Sequence, residues 1–228
     1  MELSLVIPAY NEEKRISRVI DSYSAFLDKK YDYELLIVCD GNDNTAGIVR
    51  GMIEYNPHIR LLEFPTRQGK GCAIIQGFKE SHGELVGFVD SDESVSPLDF
   101  AKLINSLNGA DCAIASRRVK GARISAHQPW GRRISSKVFN ILINSIFNLG
   151  IKDTQCGAKV FKKSILEPLL PLMKTRGFEF DVELLWRIKN ADFRIKEVPV
   201  EWKHELGSTF SLKYSGIMFL NLLKLRFS

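Results

Sequence analysis

The chain has 228 residues, 45% hydrophobic and 26% charged, which is ordinary for a soluble globular protein, gives no argument for disorder and leaves enough apolar surface for a sizeable core. Four scattered Cys and four scattered His, with no Cys-x-x-Cys pair, signal neither a disulfide framework nor a zinc site. Charge is unevenly divided: residues 1–111 carry 11 Lys and Arg against 18 Asp and Glu, and residues 112–228 carry 21 against 9, so the second half is expected to meet something anionic.

In chain order, residues 3–7 are an apolar run of strand length stopped by Pro8. Residues 11–27 place Ile16, Val19, Ile20, Tyr23 and Leu27 at helical spacing. Strand signals follow at 35–38, 59–64, 85–90 and 112–115, and helical patterns at 45–55, 71–81 and 97–107. This alternation predicts parallel βα units in a layered α/β sheet. After Arg118 the rhythm changes. Residues 130–149 are long and apolar, with Arg132, Arg133 and Lys137 crowding the start. Cations suit a helix C-terminus better than an N-terminus, so these charges point to a partner or to a basic cap on a core helix. A further helix is predicted over 179–188, a strand over 195–200, and a last apolar segment over 212–227. That segment could lie in a bilayer interface or pack as an ordinary helix. No run approaches the roughly 20 residues that span a bilayer, and no secretory signal opens the chain. A cytosolic or membrane-peripheral protein is expected.

The strand ends of the first half carry polar or turn-forming residues: Pro8-Ala9-Tyr10-Asn11-Glu12, Asp40-Gly41-Asn42-Asp43, Arg67-Gln68-Gly69-Lys70-Gly71 and Asp90-Ser91-Asp92. Carboxyl ends of strands in such a sheet lie along one edge, so these stretches can converge on one pocket. Tyr10 offers a flat face for a base, and Asp40 can accept from a ring N–H or a ribose hydroxyl. Lys70, at a helix start, can meet a phosphate. Asp90 and Asp92 can share one hard cation. A dinucleotide fold is disfavoured, because Gly69-Lys70-Gly71 lacks the third glycine and does not follow the first strand. It also lacks the Gly-Lys-Ser/Thr of a P-loop.

Taken together, these motifs resemble the family 2 glycosyltransferases of GT-A fold, and within them the polyprenyl-phosphate glycosyltransferases, especially the dolichyl-phosphate glucose synthases. Pro8 to Glu12 is similar to the family's opening motif, Asp40-Gly41 to its Asp-Asp-Gly, Arg67 to Gly71 to its Arg-Asn-x-Gly-Lys-Gly, and Asp90-Ser91-Asp92 to its Asp-x-Asp. Ser116-Arg117 matches a Ser-Arg after the fifth strand. In the second half, Asp153-Thr154-Gln155-Cys156-Gly157-Ala158-Lys159 and Phe180-Asp181-Val182-Glu183-Leu184-Leu185 resemble subgroup signatures, and Val198-Pro199-Val200 through Gly207-Ser208 continues the match. Cys39 replaces the first Asp of Asp-Asp-Gly. Ser94 stands where related mannose synthases place a metal-ligating Gln, and Thr209 replaces a Lys common after Gly-Ser.

The resemblance implies a mixed, mainly parallel α/β sheet with flanking helices and C-terminal amphipathic helices, forming one domain over 1–228. Residues 1–118 would bind the nucleotide-sugar, and 119–228 would face the acceptor and the membrane. It implies a metal-dependent, inverting transfer of a hexose, best read as glucose from UDP-glucose, to dolichyl or polyprenyl phosphate on the cytoplasmic face of a membrane. GDP-mannose and UDP-GlcNAc are the alternative donors. Pro8, Tyr10, Glu12, Asp40, Lys70 and Asp90 would bind the nucleotide. Asp90 and Asp92 would hold Mg²⁺ or Mn²⁺, and Asp181 would sit near the acceptor. Arg117, Arg132 and Arg133 would take the acceptor phosphate, since Arg matches phosphate geometry with paired hydrogen bonds. A nucleic-acid partner is not expected, because the aromatics lie within apolar runs rather than interleaved with Lys and Arg. The intact Asp90/Asp92 pair argues against an inactive scaffold.

Overall fold

The computed structural model describes residues 1–125, 130–203 and 212–227, and for 130–138, 212–215 and 217 the backbone alone. The first half is built from β1 (Leu3–Ala9), α1 (Ile16–Leu27), β2 (Tyr33–Cys39), α2 (Thr45–Ile53), β3 (Ile59–Glu63), α3 (Lys70–Lys79), β4 (Leu85–Val89), α4 (Pro97–Asn105) and β5 (Cys112–Ser116). The second half adds β6 (Arg123–Ile124), α5 (Trp130–Phe147), β7 (Ala158–Lys162), α6 (Lys163–Leu166), α7 (Phe180–Asn190), β8 (Ile195–Pro199), β9 (Glu201–Trp202) and α8 (Leu212–Phe227).

The main sheet has the order β3-β2-β1-β4-β7-β5-β8, and β6 pairs β9 separately. All the main-sheet pairings are parallel except those of β7, which runs antiparallel between β4 and β5. The central strands are buried on both faces, and their side chains alternate between two cores. In β1, Leu3, Leu5, Ile7 and Ala9 enter the core under α1, α2 and α4, whereas Val6 enters the opposite one with α3, α5, α7 and α8. β2 repeats the alternation with Tyr33, Leu35 and Ile37 on one side and Leu36 and Val38 on the other.

Two departures from the sequence pattern have local causes. α1 begins at Ile16 rather than at residue 11, because Asn11 takes a φ of 57° and its Oδ1 accepts from the Asn42 N–H at 2.9 Å. The asparagine thus ties the loop after β1 to the loop after β2 instead of joining the helix. β7 carries no clean strand pattern, since its buried run includes Lys159, which is 0% exposed. No described helix is long and apolar enough to cross a membrane. α8 packs Met218, Leu222 and Leu225 inward and leaves Leu220 and Phe227 exposed.

At the amino edge of the sheet, Glu34 of β2 is 2% exposed and binds three other segments. Its Oε1 accepts from Ser4 Oγ at 2.5 Å and from the His82 N–H at 2.7 Å, and its Oε2 accepts from Arg60 Nη1 at 2.6 Å. Burial alone would raise this carboxyl, but the Ser4, Arg60 and His82 hydrogen bonds outweigh it and hold the group below its usual 4.5. A depressed carboxyl contributes stability above its unfolded pKa and loses it as pH falls through the folded value. Glu34→Gln should therefore cost about 1–3 kcal/mol at pH 7 and flatten the acid limb of stability below pH 4.5, as read by urea unfolding across pH.

Candidate active site

Strand order decides where a pocket can open. The chain moves from β1 outward to β2 and β3, then crosses back to β4 on the other side of β1. The crevice beyond the carboxyl ends of β1 and β4 is therefore the topological switch point, where open α/β sheets bind ligands. A cavity of about 430 Å³ lies there. It is lined by Pro8, Tyr10 and Glu12 after β1, Asp40 after β2, Lys70 at the start of α3, and Asp90 and Asp92 after β4. The first-half residues singled out from the sequence thus share one wall system.

Asp90 and Asp92 form the acidic part. Burial, and then the charge of Asp90, push the Asp92 carboxyl up from its usual range against the hydrogen bond from the Ser94 N–H at 2.9 Å. Lys70 Nζ lies 2.6 Å from Asp90 Oδ1. Burial opposes the lysine's charge, but Asp90 and Asp181 outweigh it and hold the ammonium's pKa above normal. Asp90 is also fixed from behind. Its N–H donates to Gly157 O at 2.9 Å, and a Cβ on Gly157 would stand 2.0 Å from Asp90 Oδ2. Only a glycine at 157 leaves the carboxylate where it is. Among the described residues no three His, Cys, Asp or Glu converge as a metal cluster. Two carboxylates are nonetheless what a Mg²⁺-type site commonly takes from protein when substrate phosphates and water complete the shell, and the like-charge strain at Asp92 fits a cation there.

Asp40 is 5% exposed, and its Oδ2 accepts from the Gln68 and Gly69 N–H groups at 2.8 and 3.1 Å. Its Oδ1 makes no hydrogen bond among the described residues. The Arg67 guanidinium lies 4.1 Å from the Tyr10 ring centroid, so one face of that ring carries a cation. Glu12 pairs with Arg15, and its N–H donates to Thr45 Oγ1 at 2.8 Å. Cys39 is buried in the core, and burial, ahead of nearby Glu63 and Asp40, pushes its thiol up to about 12. It stays neutral and packs, which a carboxylate there would not do.

Two expected acceptor contacts are placed otherwise, and the side chains of the rest lie outside the described residues. Asp181 does not line the cavity: it is 3% exposed, and Oδ1 accepts from the fully buried Lys159 Nζ at 2.6 Å. Arg117 is turned to Asp153, with Nε to Oδ2 at 2.7 Å and Nη2 to Oδ1 at 2.8 Å, so its paired donor edge faces a carboxylate of the protein rather than the cavity. Asp153 is held below the usual carboxylate range because Arg117 outweighs the opposing effect of burial. Arg132 and Arg133 fall in the first turn of α5, with side chains outside the described residues. Thr209 and the rest of 204–211 also lie outside them.

Other residues join the site without having been singled out. Gly177, Phe178 and Glu179 line the cavity from the approach to α7, and Met218 and Asn221 line it from α8. The approach is anchored by Glu183, 0% exposed, which accepts from the Lys174 and Thr175 N–H groups and from Arg187. It meets the start of α3 closely enough that a Cβ on Gly71 would lie 2.5 Å from Phe180 Cβ. Glu179 adjoins the 180–185 signature, and that adjacency was the only sign of it in the sequence. If Asp181 is a buried counter-ion, Lys159→Met should lower stability by about 3–5 kcal/mol by leaving it unpaired. Lys159→Met/Asp181→Leu should regain most of that loss in chemical unfolding.

With this geometry in place, comparison with known proteins is direct. Residues 4–170 match the model of glycosyl transferase family 2. A dolichyl-phosphate beta-glucosyltransferase of Trichomonas vaginalis is 35% identical over 229 residues, covering 94% of this chain and 67% of that protein. The dolichyl-phosphate beta-glucosyltransferase of Dictyostelium discoideum is 32% identical, covering 99% of this chain and 74% of its own. Among solved structures, glucosyl-3-phosphoglycerate synthase of Mycobacterium tuberculosis in complex with Mn²⁺ and UDP-glucose superposes with a TM-score of 0.72 at 22% identity, covering 97% of this chain and 76% of that one. That likeness shows the fold, a mainly parallel sheet of GT-A type flanked by helices. On the family match and the relatives together, this chain belongs to glycosyl transferase family 2 and is a glycosyltransferase.

Proposed function

We propose that this glycosyltransferase moves a hexosyl group, best read as glucose from UDP-glucose, onto dolichyl or polyprenyl phosphate with inversion at the sugar carbon. The observation that carries the reading is the convergence of Lys70, Asp90 and Asp92 in the cavity that also holds Tyr10 and Asp40. Such a set can take a nucleoside diphosphate: Tyr10 and Asp40 meet the base, and Lys70 meets the diphosphate. Asp90 and Asp92 would hold Mg²⁺ or Mn²⁺, which supplies positive charge against the leaving diphosphate. The names of the relatives, which align over nearly the whole chain, support the lipid-phosphate acceptor.

The chemistry needs little proton transfer. A phosphate monoester is largely ionised at neutral pH, so an acceptor oxygen can attack the sugar's anomeric carbon directly. The bond to the nucleoside diphosphate breaks as the new one forms, and the nucleotide leaves with the electron pair. Lys70 stabilises the charge that grows on the leaving group. A buried Asp181 tied to Lys159 suits this scheme, because no general base is required of it. Arg132 and Arg133 remain the proposed contacts for the acceptor phosphate, and Arg117 acts by positioning the segment that begins at Asp153.

A lipid acceptor sets a further condition, since each buried CH₂ is worth about 0.8 kcal/mol and the tail will not leave the bilayer. The enzyme must come to the membrane. Ile141 and Leu142 on α5 and Leu220 and Phe227 on α8 are exposed, and α8 is tied to α5 by Arg226 Nε donating to Ile146 O at 3.2 Å. These exposed apolar side chains, with the basic start of α5, suit an anionic interface.

The test incubates wild type and Asp92→Ala with polyprenyl phosphate, Mn²⁺ and labelled UDP-glucose, UDP-GlcNAc or GDP-mannose. Label from UDP-glucose should enter the organic phase, and Asp92→Ala should lose turnover, because Asp92 would hold the cation that meets charge developing in the transition state. Transfer from GDP-mannose alone would reject the donor, and an unchanged kcat in Asp92→Ala would reject the metal assignment. In a separate assay, the protein should co-sediment with anionic liposomes at low salt and be released at high salt. Arg132→Glu/Arg133→Glu should weaken that binding, and retention equal to wild type would end the docking model.

A further inference from the structure

We infer that Glu179, held by Asn221, reads the hydroxyls of the transferred sugar, an assignment that rests on the proposed nucleotide-sugar donor. Glu179 lines the cavity yet is only 6% exposed, so bulk water does little to solvate its carboxylate. It stands directly before α7, where an acidic side chain ordinarily accepts from the free amides of the first turn. It makes no such bond. Instead Oε1 accepts from Asn221 Nδ2 of α8 at 3.1 Å. Among the described residues no cation pairs with Glu179. A carboxylate offers about four acceptor positions, and the single amide donor from Asn221 leaves most of them without a partner among those residues.

The remaining question is which ligand group fills them. Phosphate oxygens are excluded, since a carboxylate in a low-dielectric wall repels both the diphosphate and the acceptor. Neutral hydroxyl donors remain, from the ribose or from the hexose. Location favours the hexose. A Cβ on Gly177 would stand 2.7 Å from Glu179 Oε2, and one on Gly71 would stand 2.7 Å from the Gly177 carbonyl oxygen, so the Glu179 carboxylate lies against the segment that packs on the start of α3, where Lys70 is paired with Asp90. Glu179 is thus nearer the Lys70 end of the cavity than an outer nucleoside position. A carboxylate that accepts from a sugar hydroxyl also rejects a donor lacking it, because the buried acceptor is then left unpaired.

The experiment separates sugar reading from nucleotide binding. Calorimetry measures UDP and UDP-glucose with Mn²⁺ on wild type, Glu179→Gln and Asn221→Ala, each checked for a native melting transition. Transfer kinetics use UDP-glucose and its singly deoxygenated analogues. Glu179→Gln should bind UDP within about twofold of wild type while losing roughly 10- to 100-fold in kcat/KM for UDP-glucose. Its penalty for one deoxy analogue should shrink, since the neutral amide oxygen that replaces the carboxylate is a weaker acceptor for that hydroxyl. Asn221→Ala, which leaves the start of α7 untouched, should show a smaller loss of the same pattern. An equal fall in UDP and UDP-glucose affinity, or unchanged kcat/KM, overturns the inference while the transferase reading stands. A wild type that binds UDP-glucose and shows the Glu179→Gln binding effect, but transfers nothing to lipid phosphate, supports the inference and overturns the acceptor assignment alone.

Discussion

The insertion of antiparallel β7 between β4 and β5 is the constraint on which the acidic site depends. Val89 pairs with Ala158 at the end of the ladder, and the next residue of each strand pair brings Asp90 against Gly157. The hydrogen bond from the Asp90 N–H and the bare Cα of Gly157 fix where the carboxylate can be, and Lys70 then meets it from α3. The same short segment carries Asp153, which holds Arg117 at the end of β5, and Lys159, which holds Asp181 at the start of α7. Four elements are thus located from one stretch of seven residues, Asp153 to Lys159.

Behind the cavity the protein keeps an unusual amount of buried charge. Lys159 with Asp181, Arg117 with Asp153, and Arg187 with Glu183 each join elements that are distant in sequence or anchor a loop that lines the site. Buried pairs of this kind add little net stability over well-packed apolar residues, because desolvation offsets their attraction. Their effect here is geometric. Glu183 fixes the backbone at Lys174 and Thr175, and so fixes the path of Gly177, Phe178 and Glu179 into the wall. Lys159 neutralises Asp181, whose charge in turn acts on Lys70.

The first half was legible in the sequence because its strands are mainly apolar runs that end in polar turns. The residues after β1, β2 and β4 could be assigned to one edge from the βα alternation alone, and they line one cavity. The second half was less legible for identifiable reasons. β7 hides a strand behind a buried lysine that reads as surface until Asp181 is seen beside it. Arg117 looks available for phosphate because the pairing with Asp153 spans 36 positions and has no local signature. The apolar face of α8 could have met lipid or protein, and pattern alone could not divide Met218, Leu222 and Leu225, which face inward, from Leu220 and Phe227, which do not. Glu179 and Asn221 meet only through the tertiary packing of α7 and α8.

β7 also bears on how the chain reaches this structure. β1, β2 and β3 follow one another as sheet neighbours and β4 returns to pair with β1, whereas the other side of Leu85 to Val89 must wait for Ala158 to Lys162, far along the sequence. Such distant pairings are slow to form, since loop closure precedes any reward from contact. Until they form, β4 presents an apolar backbone edge of the kind that recruits strands from other chains. The strand that seats the acidic site therefore also covers that edge of the sheet. Weakening its docking, for instance by a side chain at Gly157, would expose the chain to aggregation during folding as well as disturb Asp90.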